Sequence, residues 1–211
     1  MVLKNEKNIK LRFLPKEPGI FTKEQIKTIY EVVSNQGTEL MELVLDLPLS
    51  ITVPSNLEKE AKQQLIAVGL LVVPNGDCIK EVKVCPKCDH GVGTYRELGR
   101  LLIEGLIGKE TSAPVRVSVS GCGCQCAMSM LQDIGLVAGL DGYAMYIGGT
   151  PYGKPAIGEK VGNNISDDKI IPAINAILSV YESRKEKRKY LYQVVKAIGT
   201  ESFSEAIKEI L

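Results

Sequence analysis

Residues 120–129 read SGCGCQCAMS, which places three of the chain's six cysteines at alternate positions. They follow directly on the apolar alternating run PVRVSVS. This crowding constrains the fold more than any other feature, because neighbouring thiols must pair covalently, meet a metal or pack as small apolar groups. Cys85 and Cys88 form a C-x-x-C pair upstream, and Cys78 stands apart. The N-terminal MVLKNEKNIKLRF has no apolar signal core, and no later stretch approaches a membrane span. A cytoplasmic protein without membrane contact is expected, and there clustered thiols bind metal or do redox work. The NIS at 164–166 is accordingly a chance sequon. A formal net charge of +1 gives no global electrostatic reason to bind nucleic acid or anionic membrane.

The 211 residues suit one domain or two small ones. PGIFTKEQIKTIYEVVSNQG has turn residues, Thr22 as N-cap and helical spacing at Ile26, Ile29, Tyr30 and Val33, with Gly37 as a stop. LMELVLDLPLSITVP reads as extended and broken or bulged at Pro48. NLEKEAKQQLIAVG is a second helix, capped by Ser55 or Asn56 and ended at Gly69, before the strand LLVVP. We place a boundary at residue 76, giving units 1–76 and 77–211. In the second, the strand IKEVKV runs into CPKCDHG, and TYRELGRLLIEGL is a helix with Leu98, Leu101, Leu102 and Leu106 on one face. PVRVSVSG is a strand that delivers the chain to Cys122. DIGLVAGLDGYAMYIGG is a hairpin turning at Asp141–Gly142, with type I′ chemistry. DDKIIPAINAILSVY and KYLYQVVKAIG are helices, and SFSEAIKEIL closes the chain.

Both cysteine groups are thus expected at strand-to-helix junctions, where unpaired backbone N–H groups favour thiolates. Two such groups can converge on zinc or on an iron–sulfur cluster, since both accept four thiolates. Each opens a helix or turn and not a hairpin knuckle, which favours a cluster.

CPKCDHG…TYRELG followed by VRVSVSGCGCQCAMSMLQDIGLVAGLDGYAMYIGGTPYGKPAIGEKV resembles the cluster half of the sulfite and nitrite reductases. The earlier PGIFTKEQIKTIYEVVSNQG and LIAVGL resemble that family's ferredoxin-like half-domain, and VYESRKEKRKYLYQVVKAIGTESF its C-terminal helices. The small single-copy members are the nearest in kind. The resemblance implies an α+β fold, a ferredoxin-like half-domain packed on an α/β cluster-binding half. It also implies a 4Fe–4S cluster coupled to sirohaem, with electrons from a low-potential donor such as ferredoxin reducing a small anion, sulfite first, by six electrons to sulfide. Carried over by motif, Cys85, Cys88, Cys122 and Cys126 are the metal ligands, and Cys126 bridges cluster and sirohaem iron. A homo-oligomer is expected, because larger members carry duplicated halves.

The chain departs from that pattern in several places. Its first pair is spaced by two residues where the family has five, so Cys78 is an alternative ligand. Cys124 is read as a bystander whose thiol points away from its neighbours. Asp46 stands where members carry an arginine, which favours a second reading: a non-catalytic electron-transfer or tetrapyrrole-binding protein. Sirohaem carboxylates and sulfite need cations. Arg116 is the expected catalytic anion-stabilising residue, on the strand leading to the cysteines, with Arg12, Arg96 and Lys154 as cofactor-binding residues. Lys83 and Lys87 are further candidates, His90 is an optional ligand or proton donor, and RKEKRK at 184–189 is a solvated face.

Overall fold

A computed structural model describes residues 8–35, 48–184 and 189–211. It separates into two compact units, Met1–Asn75 and Gly76–Leu211. In the first, β1 (Asn8–Pro15) is the middle strand of a three-stranded sheet, between β2 (Leu49–Pro54) and β3 (Leu70–Val73) and antiparallel to both. Helix α1 (Lys23–Ser34) leads from β1 toward β2, and α2 (Glu58–Ala67) joins β2 to β3. This is a ferredoxin-like arrangement. Alternate residues Leu11 and Phe13 of β1 join Ile29, Val32, Ile51 and Leu65 in one apolar core between sheet and helices.

The Thr22 N-cap is present as a full capping box, since its hydroxyl accepts from the Gln25 N–H at 3.1 Å and Gln25 Oε1 accepts from the Thr22 N–H at 2.9 Å. The second helix starts differently from expectation. Residues Ser55–Leu57 form a 3₁₀ turn, and α2 begins after it with no side-chain cap. Gly37 and Asp46 lie outside the described residues, as does most of the expected extended run before Pro48.

The second unit holds a five-stranded sheet in chain order: β4 (Ile79–Val84), β5 (Val115–Ser120), β6 (Ile134–Gly139), β7 (Gly142–Ile147) and β8 (Glu159–Ile165). β4, β5 and β6 are parallel, while β7 and β8 return antiparallel. The parallel β4–β5 step needs a crossover, supplied by α3 (Tyr95–Leu106), which buries Leu98, Leu102, Ile103 and Leu106. Helices α4 (Asp167–Glu182), α5 (Leu191–Ile198) and α6 (Glu201–Lys208) follow, with α4 packed on α6.

Three expectations are corrected here. Leu101 is 41% exposed, so the buried face of α3 is Leu98, Leu102 and Leu106 with Ile103 in its place. The hairpin turns one residue early, at Leu140–Asp141, because Gly139 pairs with Gly142. Only Gly142 has positive φ there, at +126°, so the turn is not type I′. Finally, the second cysteine group leads into tight turns and a short 3₁₀ segment, Ser129–Leu131, and not into an α-helix.

Candidate metal centre

The parallel pairing of β4 with β5 places the ends of both strands side by side, and each end releases a cysteine loop. Cys85 directly follows β4. Its N–H donates to the Val119 carbonyl at 2.9 Å, which extends the ladder to the mouth of the second loop. Farther on, the Val92 N–H donates to the Gly121 carbonyl at 2.8 Å, so the loops are tied at two levels. The chain from Cys122 folds on itself: Gln125 N–H donates to the Cys122 carbonyl at 3.1 Å and Met128 N–H to the Gln125 carbonyl at 2.7 Å. Gln125 and Met128 take left-handed φ values of 53° and 54°, strained for residues with a Cβ. The Gln125 side chain reaches Met130 Sδ and the Met130 N–H, both at 3.3 Å. The hydroxyls of Ser120 and Ser129, both fully buried, meet at 2.7 Å and close the loop's base.

Cys85 is buried, Cys122 half-buried, and Cys88, Cys124 and Cys126 are exposed; all are free thiols. The structure does not turn Cys124 away from its neighbours. Its thiol is pushed upward in pKa first by a hydrogen bond with Cys122, and further by Cys126 and Cys88. Segment 121–128 is not a strand, and even in a strand alternate side chains share a face. Cys78, in contrast, is buried at the opposite end of β4, about 20 Å of strand from Cys85, and is removed as an alternative ligand.

Among the described residues, no three His, Cys, Asp or Glu side chains form a group that could hold a metal ion directly. What the two loops present instead is Cys124 within electrostatic reach of Cys122, Cys126 and Cys88, with Cys85 at the end of the strand paired to β5. A 4Fe–4S cluster takes one thiolate at each of four iron atoms, so its ligands surround a body and do not meet at a point. The donor set fits such a cluster.

The predicted basic residues are scattered. Arg96, in the first turn of α3, donates from Nη1 to the Cys85 carbonyl at 3.1 Å. It lines a cleft of about 260 Å³ with Lys87 and Cys88. His90 lies in the same loop between Cys88 and Gly91. Arg12 belongs to the first unit, on the β1 face opposite Leu11 and Phe13 and in register with Ser50 and Val73. Lys154 is exposed in the loop between Thr150 and Ala156.

Arg116 is not brought to the cysteines. It opens β5, about 13 Å of strand before Ser120. Both its Nε and its backbone N–H donate to Asp133 Oδ2 at 3.0 Å, and the guanidinium lies 4.7 Å from the centre of the Tyr152 ring. For Arg116, burial opposes the charge and Asp133 more than offsets it, so its pKa is raised. Asp133 itself is fully buried, with Oδ1 lacking a partner.

Two residues were not found from sequence. Asp133 sits in the DIG motif, where its charge among apolar neighbours was the available signal. Tyr95 stands between the two cysteine loops, 6% exposed, its hydroxyl donating to the Pro86 carbonyl at 2.9 Å. No spacing in the sequence pointed to it.

Known proteins agree with this architecture. Residues 76–211 match the family described as "Nitrite and sulphite reductase 4Fe-4S domain". The chain is similar to an assimilatory-type sulfite reductase of Nitratidesulfovibrio vulgaris, 25% identical over 203 residues that cover 92% of this chain and 90% of the relative. It is also similar to a cobalt-factor III methyltransferase of Priestia megaterium, 25% identical over 86% of this chain but only 34% of that protein. The structure of dissimilatory sulfite reductase I shares its fold, with a TM-score of 0.82 over 95% of this chain and 69% of that one, at 11% identity. With the family match spanning the whole second unit and both cysteine loops, the chain belongs to the nitrite and sulphite reductase family, through its 4Fe-4S domain.

Proposed function

We propose that this oxidoreductase reduces sulfite to sulfide by six electrons, with a 4Fe–4S cluster on Cys85, Cys88, Cys122 and Cys126 and with sirohaem beside it. The observation that carries the reading is the pairing of the two cysteine loops at the ends of β4 and β5, next to cationic Arg96 and Lys87. When bound, the cluster supplies single electrons and the sirohaem iron holds the anion. The chain's own residues supply the setting. Two backbone hydrogen bonds and a pair of buried serines fix the loops, which lowers the reorganisation needed to receive the cluster. Arg96 and Lys87 offer positive charge for sirohaem carboxylates or the anion. Arg116 sits near the start of β5, away from the cysteine loops, so the anion role falls to Arg96, and Lys154 is a secondary cofactor contact. Cys126 would supply a thiolate to the metal centre on the side of the sirohaem. A low-potential protein donor, a cytoplasmic location and a homo-oligomer complete the proposal. The described residues contain no helix long and apolar enough to cross a membrane.

A second reading keeps the cluster without catalysis. Asp46 and the similarity to a methyltransferase over most of this chain favour it. The two separate in one assay: anaerobic, cofactor-loaded protein with a reduced dye and sulfite or nitrite. Turnover with sulfite is the expected result, and absence of turnover with both anions supports the non-catalytic reading.

A further inference from the structure

We propose that Tyr95 is a positioning residue for the metal centre: its ring is the spacer that sets the separation of the two cysteine loops. The inference rests on the iron–sulfur reading of the site. A Cβ on Gly121, the residue before Cys122, would lie 2.8 Å from the Tyr95 ring. A Cβ on Gly91, in the loop that follows Cys88, would lie 2.4 Å from the same ring. Neither glycine has a positive φ, so backbone conformation does not demand glycine at either place. The ring does. One aromatic side chain therefore occupies the space that two side chains, one on each loop, would otherwise fill.

The spacer is itself fixed. Tyr95 is the first residue of α3, whose Leu98, Leu102, Ile103 and Leu106 are buried in the core. Gly99 presses the helix onto β4, since a Cβ there would meet Val84 at 2.5 Å. The hydroxyl end is held by the Pro86 carbonyl, one residue past Cys85. The ring thus refers both loops to the core, and a thiol constellation set this way does not depend on the cluster being present. Groups of this kind beside a metal ligand shell typically change metal retention by about 10–100-fold when altered.

The test uses the full chain carrying its cluster, purified anaerobically. Iron release to a chelator, the electron paramagnetic resonance of the reduced cluster and the thermal midpoint are followed in Tyr95→Phe, Tyr95→Leu, Gly121→Ala and the double variant Tyr95→Leu/Gly121→Ala. Ile177→Ala, in the core of α4, serves as a destabilised control. Tyr95→Phe keeps the ring and retains iron within about twofold of wild type, while Tyr95→Leu and Gly121→Ala release it about tenfold faster with an altered spectrum. The double variant loses less than the product of the singles, because removing the ring makes room for the methyl group. Ile177→Ala lowers the midpoint without changing release or spectrum. Wild-type release and spectrum in Tyr95→Leu and Gly121→Ala overturn the inference, and so does release that simply follows the midpoint in every variant, the control included. A second measurement needs no cluster: a short bifunctional thiol reagent joins Cys88 to Cys122 in the wild-type apoprotein and does so poorly in Tyr95→Leu. Equal joining there overturns the spacer even where the cluster reading stands. A wild type that takes up no iron but shows the difference in joining overturns only the cluster reading.

Discussion

Arg116 and Asp133 form a largely buried pair in which the carboxylate has nowhere else to turn. Asp133 is fully buried, and Arg116 donates two hydrogen bonds to its Oδ2. Truncating Arg116 to Ala strands that carboxylate and should cost about 3–5 kcal/mol of stability in a urea titration. Arg116→Lys should recover part of the loss, because its ammonium restores a positive charge beside Asp133 without the guanidinium's geometry. An unchanged midpoint in Arg116→Ala would contradict this role. The pH dependence has a definite sign. Burial raises the Asp133 pKa, with Arg116 pulling it partly back. Folding then favours the protonated form, so this group's stabilisation is full below the ordinary carboxylate pKa of about 3.9 and is lost as pH rises through the folded value. Asp133→Asn should therefore flatten the rise in urea sensitivity that sets in as pH climbs above the ordinary carboxylate pKa of about 3.9. A slope identical to wild type would show that another group titrates there. Such a pair was only half legible in the sequence. An arginine in an apolar strand suggests an anion partner, but the register that supplies Asp133 from the start of β6 is a tertiary fact.

The second cysteine loop is an element held from below. Gly135 of β6 allows the 3₁₀ turn to lie flat on the sheet, since a Cβ there would come within 1.9 Å of the Ser129 carbonyl oxygen. Gly135→Ala should destabilise the unit by about 3 kcal/mol, measured by thermal or urea unfolding, and should raise the reactivity of Cys122–Cys126 toward a thiol reagent. Wild-type reactivity would show that the loop keeps its shape without that support. Elements with a strong local signal were legible: α1 has its cap and period, and the alternation of PVRVSVS gives β5. Others were not. β1 alternates apolar Ile9, Leu11 and Phe13 with charged Lys10 and Arg12, but the alternation ends in the consecutive buried run Phe13–Pro15, which blurs the pattern. β8, EKVGNNI, buries only Val161 and Ile165, too few for a strand signature. The loop from Cys122 to Met128 depends on left-handed Gln125 and Met128, residues that do not advertise that conformation.

At the scale of the whole molecule, the family match covers the second unit, while the similarity to the assimilatory sulfite reductase extends over nearly the full chain. A dimer is expected by sedimentation at micromolar concentration, and a strictly monomeric cofactor-loaded protein would contradict that proposal. The cysteine motifs were legible as a metal site because their spacing is local. Their convergence, and the exclusion of Cys78, came from the parallel pairing of β4 and β5. The central claim is that these paired loops hold a 4Fe–4S cluster. Its most direct measurement is iron and acid-labile sulfide per chain in anaerobically purified protein, with the spectrum of the reduced form, in wild type and in Cys122→Ser. About four iron and four sulfide per wild-type chain, lost in Cys122→Ser, are predicted. Colourless wild type without labile sulfide, holding a single zinc, would contradict it.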